Sequence, residues 1–169
     1  PWLWQVTRMP ELHTVAQPRP DGWLVVPDYW RDMASRELIV RHFLDAERRR
    51  ELAAKTPKAA REWLLGRIAA ADGVRRWLWA RGAGPIWGIE VVIGNEPSGR
   101  PVVTRLPSRP DIPAVVPPQV SIAHKVDLAV ALVDDEGPVG IDLETVAERA
   151  DGVLAAGLTP AERALLDRL

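Results

Sequence analysis

Thr56-Pro57-Lys58-Ala59-Ala60-Arg61-Glu62-Trp63-Leu64-Leu65-Gly66-Arg67-Ile68 opens the segment that decides how this chain reads. Thr56 is a good N-cap, and Pro57 suits the first helical position, where no amide donor is needed. Leu64, Ile68, Ala71, Val74 and Leu78 then recur at helical spacing for four turns. The pattern predicts a long amphipathic helix that must bury one stripe. Arg67 and Arg75 border the stripe, Lys58 lies near the start, and Gly82 and Gly84 end it. Gly66 costs about 1 kcal/mol relative to Ala inside a helix. It serves either close packing or the approach of another backbone or a ligand.

Outward from this helix the chain alternates short elements. Residues 31–43 read as a helix, and Asp45 can cap a second, charged one through Leu52. Residues 1–30 are irregular and strand-like, punctuated by prolines at 10, 18, 20 and 27. Downstream, Ile86 to Ile93 alternates as a strand, with Trp87, Ile89, Val91 and Ile93 on one side. Residues 95–99 form a turn, and Arg100 to Leu106 returns as the hairpin partner. Residues 107–118 hold five prolines and read as a loop or linker. Three more strands are predicted at Val120–Ala123, Leu128–Val133 and Val139–Leu143, with a turn near His124–Asp127. A capping box at Thr159-Pro160-Ala161-Glu162 opens a last helix.

At 169 residues, 47% hydrophobic and 27% charged, the chain can bury a core. A formal net charge of −1 gives no support to a generic nucleic-acid binder, so any anion site must be a local cluster. Without cysteine there are no disulfides, thiolate metal sites or thiol nucleophiles, which fits a cytoplasmic setting. No apolar run approaches a membrane span. The chain begins at Pro1 without a methionine and reads as a piece of something longer.

Val139-Gly140-Ile141-Asp142-Leu143-Glu144 carries the clearest chemistry. Alternation sends Asp142 and Glu144 to the face opposite Val139, Ile141 and Leu143, roughly 7 Å apart. Two such carboxylates can grip one hard cation, although most D-x-E pairs are solvated strand faces. Arg100, between Gly99 and Pro101, is either a directed phosphate ligand or a solvated turn residue. His124 and Lys125 together can meet an anion, while His13 and His42 read as structural or surface residues. No two histidines share metal-ligand spacing.

In order, Leu64-Leu65-Gly66-Arg67, Gly99-Arg100-Pro101, Val120-Ser121-Ile122-Ala123-His124 and Val139-Gly140-Ile141-Asp142-Leu143-Glu144 resemble the motif series of 4′-phosphopantetheinyl transferases of the surfactin-synthetase type. The resemblance covers roughly residues 30 to 169. The N-terminal part looks most like transferase domains at the C-terminal ends of polyketide synthases.

The resemblance implies an α/β fold in the α+β sense: two pseudo-symmetric lobes, each a small antiparallel sheet with a long helix. The first lobe would span residues 1–113, and 114–169 would begin the second. It implies Mg²⁺-dependent transfer of phosphopantetheine from coenzyme A to a serine of an acyl carrier protein. Asp142 and Glu144 would be the catalytic, metal-binding pair. Arg67, Arg100 and His124 would hold the coenzyme's phosphates, with Lys58 and Lys125 as further cations. The chain departs from the family at Ala123, where serine is usual, and at Ala71, where lysine is common. The family's W-x-x-K-E helix is expected just past Leu169. The alternative reading is a non-catalytic remnant that binds coenzyme A or docks a partner.

Overall fold

The computed structural model describes residues 14–30, 32–147, 152, 156–166 and 168. The opening tryptophans and His13 lie outside them. The predicted caps are where the helices start. Asp32 accepts from the Ser35 amide (2.8 Å) to begin α1, Met33–Phe43. Asp45 accepts from the Arg48 amide (2.9 Å) to begin α2, Ala46–Ala53. Thr56, with Pro57 after it, opens α3, Pro57–Trp79. Thr159 and Glu162 exchange hydrogen bonds at the head of α4, Pro160–Leu166. In each case a side-chain oxygen takes up an amide that the helix leaves without a partner.

The main sheet is antiparallel throughout. It comprises β1 (Gln17–Pro18), β2 (Leu24–Pro27), β5 (Gln119–Lys125) and β6 (Leu128–Asp134), in the order β1-β2-β6-β5. It therefore takes strands from both sides of residue 113. A separate hairpin joins β3 (Val92–Asn95) to β4 (Pro101–Arg105). The architecture is α+β, with two small antiparallel sheets and one long helix among the described residues.

Helix α3 lies across one face of the main sheet, meeting Leu24 and Val26 of β2 and Ala129 and Ala131 of β6 in the core. Two glycines set the spacing. A Cβ at Gly66 would sit 2.8 Å from Cγ2 of Ile122 on β5, and one at Gly73 would sit 2.6 Å from Cγ2 of Val133 on β6. Of the two readings of Gly66, close helix packing is what these contacts show. The expectation that Arg67 and Arg75 merely border the stripe is corrected, because both are buried. Arg75 bonds Asp72 (2.5 Å) and the Ile86 carbonyl (2.9 Å), while Asp72 accepts from the amides of Val15 (2.7 Å) and Ala16 (2.8 Å). Burial pushes the Asp72 carboxyl up, and Arg75 and the two amides pull it back.

Three strand expectations change. Residues 86–91 are not a strand: Gly88–Glu90 is a 3₁₀ turn, closed by the Trp87 amide donating to the Glu90 carboxylate (2.7 Å). Gly88 abuts Phe43, where a Cβ would meet the ring at 2.6 Å. The turn predicted near His124 is tighter, because His124 and Lys125 belong to β5 and only Val126 and Asp127 turn. Val126 has φ 55° there. Residues 139–143 join no ladder among the described residues, yet burial still alternates, with Ile141 and Leu143 half-buried and Asp142 and Glu144 exposed. The Ile141 amide donates to Ser121 Oγ (3.1 Å), which lays this segment on the sheet face opposite α3.

Two predictions follow from this packing. Overpacking costs roughly 1–3 kcal/mol, against about 1 kcal/mol that Ala regains over Gly in a helix. Gly73→Ala is expected to lose about 1 kcal/mol net in urea unfolding; a stabilised variant would show that α3 can lift off the sheet freely. The second concerns Asp45, whose carboxyl is held below its ordinary range by the Arg48 amide, with Arg105 at 3.1 Å adding to this. A lowered folded value means the contribution is present above the unfolded value of about 3.9 and is lost as pH falls through the folded one. Asp45→Ala should cost about 1 kcal/mol at neutral pH. That deficit should shrink below about pH 4, as read from urea midpoints across pH.

Candidate functional site

The spacing set by Gly66 leaves a cavity of about 210 Å³ where α3, the β3–β4 hairpin and β5 meet. Helix α3 contributes Glu62, Trp63, Gly66 and Arg67 to its wall. The hairpin contributes Asn95, Gly99 and Pro101, and β5 contributes Ile122 and His124. Alternation along β5 puts Val120, Ile122 and His124 on the face toward the helix, so His124 reaches the cavity from a strand and not from a turn. Gly99, at φ +89°, turns the hairpin tightly enough for its backbone to line the wall.

Arg67 is the chemically decisive member. It is 7% exposed, and its guanidinium lies 5.0 Å from the Trp63 ring centroid and donates to Oδ1 of Asn95. Its Nε is buried without a hydrogen-bond partner. No carboxylate lies within ion-pair distance of it among the described residues. Burial pulls its proton affinity down, Glu51 raises it at longer range, and Arg48 lowers it. A buried cation with one neutral acceptor is a costly arrangement unless an anion completes it.

His124 Nδ1 lies 3.9 Å from the Glu62 carboxylate, and Lys58 Nζ lies 3.9 Å from the same group. Lys58 itself is exposed at the rim of the helix start. Arg100 does not line the cavity. Its Nε and Nη2 clasp Glu96 (3.0 and 2.6 Å) and its Nη1 donates to Gln119 (2.9 Å), tying the hairpin to β5. Glu96 holds the Arg100 proton more tightly, and Arg100 in turn holds the Glu96 carboxyl below its ordinary range.

The carboxylate pair stands apart from this cavity. Asp142 lies beside a shallow, mostly apolar depression of about 430 Å³ with Trp23, Val130, Leu132, Ile141 and Leu143, on the sheet face away from α3. Glu144 takes an ion pair from Lys125 (2.8 Å). Asp142 and Glu144 are both exposed on one side of an extended segment, a donor set that suits a hard divalent cation. Among the described residues no three His, Asp or Glu side chains gather as a metal-holding group, so phosphate oxygens and water would complete such a shell.

The structure thus brings Arg67 and His124 together with Gly99 and Pro101, keeps Arg100 on an internal brace, and sets Asp142 and Glu144 on the other side of β5. Glu62, Trp63 and Asn95 are the members that motif reading passes over. Trp63 is four residues before Arg67 and so shares its helix face, a spacing that marks it in retrospect. Nothing in the spacing of Asn95 marks it.

No family model matches the chain, and no curated protein matches it.

Replacing Arg67 tests whether its charge serves the fold or a ligand. Inorganic pyrophosphate should raise the melting temperature of the parent, and Arg67→Met should abolish that rise while leaving ligand-free stability within about 1 kcal/mol of the parent. A large loss of stability with the pyrophosphate effect intact would assign Arg67 to the fold alone.

Proposed function

We propose that the chain is a 4′-phosphopantetheinyl transferase domain that moves phosphopantetheine from coenzyme A to a serine of an acyl carrier protein. The observation that carries this reading is Arg67, a buried guanidinium without a carboxylate partner among the described residues, lining one cavity with His124 and the Gly99 turn. Residues far apart in sequence and drawn from three separate motifs meet there. The Gly99-Arg100-Pro101 turn contributes backbone, and its Arg100 would add charge once it leaves Glu96. Lys58 and Lys125 would add to the positive field without lining the cavity. The two-lobed transferase fold, divided near residue 113, belongs to the same reading.

Catalysis in this reading is mainly positioning and charge neutralisation. Arg67 and His124 bind phosphate and orient the coenzyme. Asp142 and Glu144 would hold Mg²⁺, which would supply charge neutralisation at the coenzyme's pyrophosphate. The carrier serine Oγ, giving up its proton, bonds to the phosphorus next to the pantetheine as the phosphoanhydride bond breaks and adenosine 3′,5′-bisphosphate leaves. Lys125 holds Glu144 in place through an ion pair of 2.8 Å.

The test is direct. The protein is incubated with coenzyme A, Mg²⁺ and an apo carrier protein, and the carrier is weighed by mass spectrometry. A gain of phosphopantetheine is expected, reduced at least about a hundredfold in rate by Asp142→Ala. No gain, with coenzyme A still bound, would favour a binding module over an enzyme.

A further inference from the structure

The cavity that holds Arg67 also holds a carboxylate, which a simple phosphate site should avoid. Glu62 sits one turn ahead of Gly66, and its side chain is 20% exposed. The ionisable groups nearest to it among the described residues are Lys58 and His124, each at 3.9 Å. Neither reaches hydrogen-bond distance. Glu62 therefore presents acceptor oxygens to the cavity with no donor on them from the described residues.

The neighbouring groups narrow what would supply that donor. Asn95 is committed, since its Oδ1 accepts from Arg67 and its Nδ2 donates to the Gly99 carbonyl (2.6 Å). The rest of the wall offers apolar or aromatic surface from Trp63, Ile122 and Pro101. The cavity thus pairs an anion-seeking guanidinium with a hydrogen-bond-seeking carboxylate beside a flat apolar wall. A bare phosphate satisfies the first and is repelled by the second. A phosphate ester with a hydroxyl or amino donor on its organic part satisfies both.

We infer that Glu62 is a specificity-determining residue, accepting a hydrogen bond from the sugar hydroxyl or base amine of a nucleoside phosphate. This rests on the coenzyme-binding reading above and assigns a residue and a chemistry within it. The carboxylate contributes discrimination more than affinity: it penalises any anion that brings no donor. A group left without its donor is penalised more than a good contact is rewarded, so the preference is steep.

Calorimetric titration of the protein with adenosine 3′,5′-bisphosphate and with inorganic pyrophosphate tests this, using the parent, Glu62→Ala and Glu62→Gln. The parent should bind the nucleotide more tightly than pyrophosphate. Glu62→Ala should weaken the nucleotide about tenfold while leaving pyrophosphate unchanged or tighter. Glu62→Gln, which keeps one acceptor oxygen, should recover part of the nucleotide affinity. If both variants tighten both ligands alike, the carboxylate acts by charge only and the inference falls, while the coenzyme site stands. If the parent binds neither ligand, both readings fall together. Ligand-free melting of each variant separates a lost contact from a lost fold: a variant that melts with the parent yet keeps full nucleotide preference also overturns the inference.

Discussion

How near α3 lies to the sheet governs the rest of this molecule. Gly66 and Gly73 stand one heptad apart on the helix, facing Ile122 and Val133 on adjacent strands. Without a Cβ at either position the helix axis approaches the strands more closely than larger residues permit. The conformational cost of two mid-helix glycines, about 1 kcal/mol each, is offset by contact along the whole stripe. The same approach brings the helix side chains at 62, 63 and 67 up to the end of β5, where His124 projects. Packing and site have one cause.

Two arginines on that helix show how burial sorts structural charge from chemical charge. Arg75 is fully buried and answered on its own helix by Asp72, which also receives the amides of Val15 and Ala16. The pair fastens the segment before β1 and the loop at Ile86 to α3, so its desolvation is compensated inside the fold. Arg67 lies about two turns earlier and is nearly as buried, yet it is answered by an amide oxygen and an aromatic ring. The difference lies in the partners. Depth alone would have assigned both to the core.

Much of this was legible in the sequence because it is local. N-caps at Asp45, Thr56 and Thr159, the four-turn stripe of α3 and the hairpin around Gly99 depend on residues within a few positions of one another, and each is where its signal puts it. The failures come from tertiary contacts. Residues 86–91 alternate like a strand, but Gly88 is pressed against Phe43 and Glu90 folds back on the Trp87 amide, so a 3₁₀ turn wins. At Asp142 and Glu144 the alternation is real, but it arises from packing on the sheet face, without a hydrogen-bonded partner. For Arg100 the motif hid a competitor four residues away, because Glu96 is the nearest anion and holds it.

The placement of His124 and Lys125 connects the two halves of the candidate site. They are adjacent on β5, so the pleat sends them to opposite faces. His124 faces the cavity with Arg67 and Glu62, and Lys125 faces Glu144. The anion cavity and the carboxylate pair are therefore the two sides of one strand. Strand β5 is also the last in its sheet, with β6 on one flank only. A ligand engaging both sides would have to pass around that edge instead of lying in a single pit. Long ligands with charge at two separated points satisfy this constraint and compact ones do not. In the proposed coenzyme reading, the phosphorylated sugar and the pyrophosphate would engage these two sides, which an isolated phosphate could not do at once.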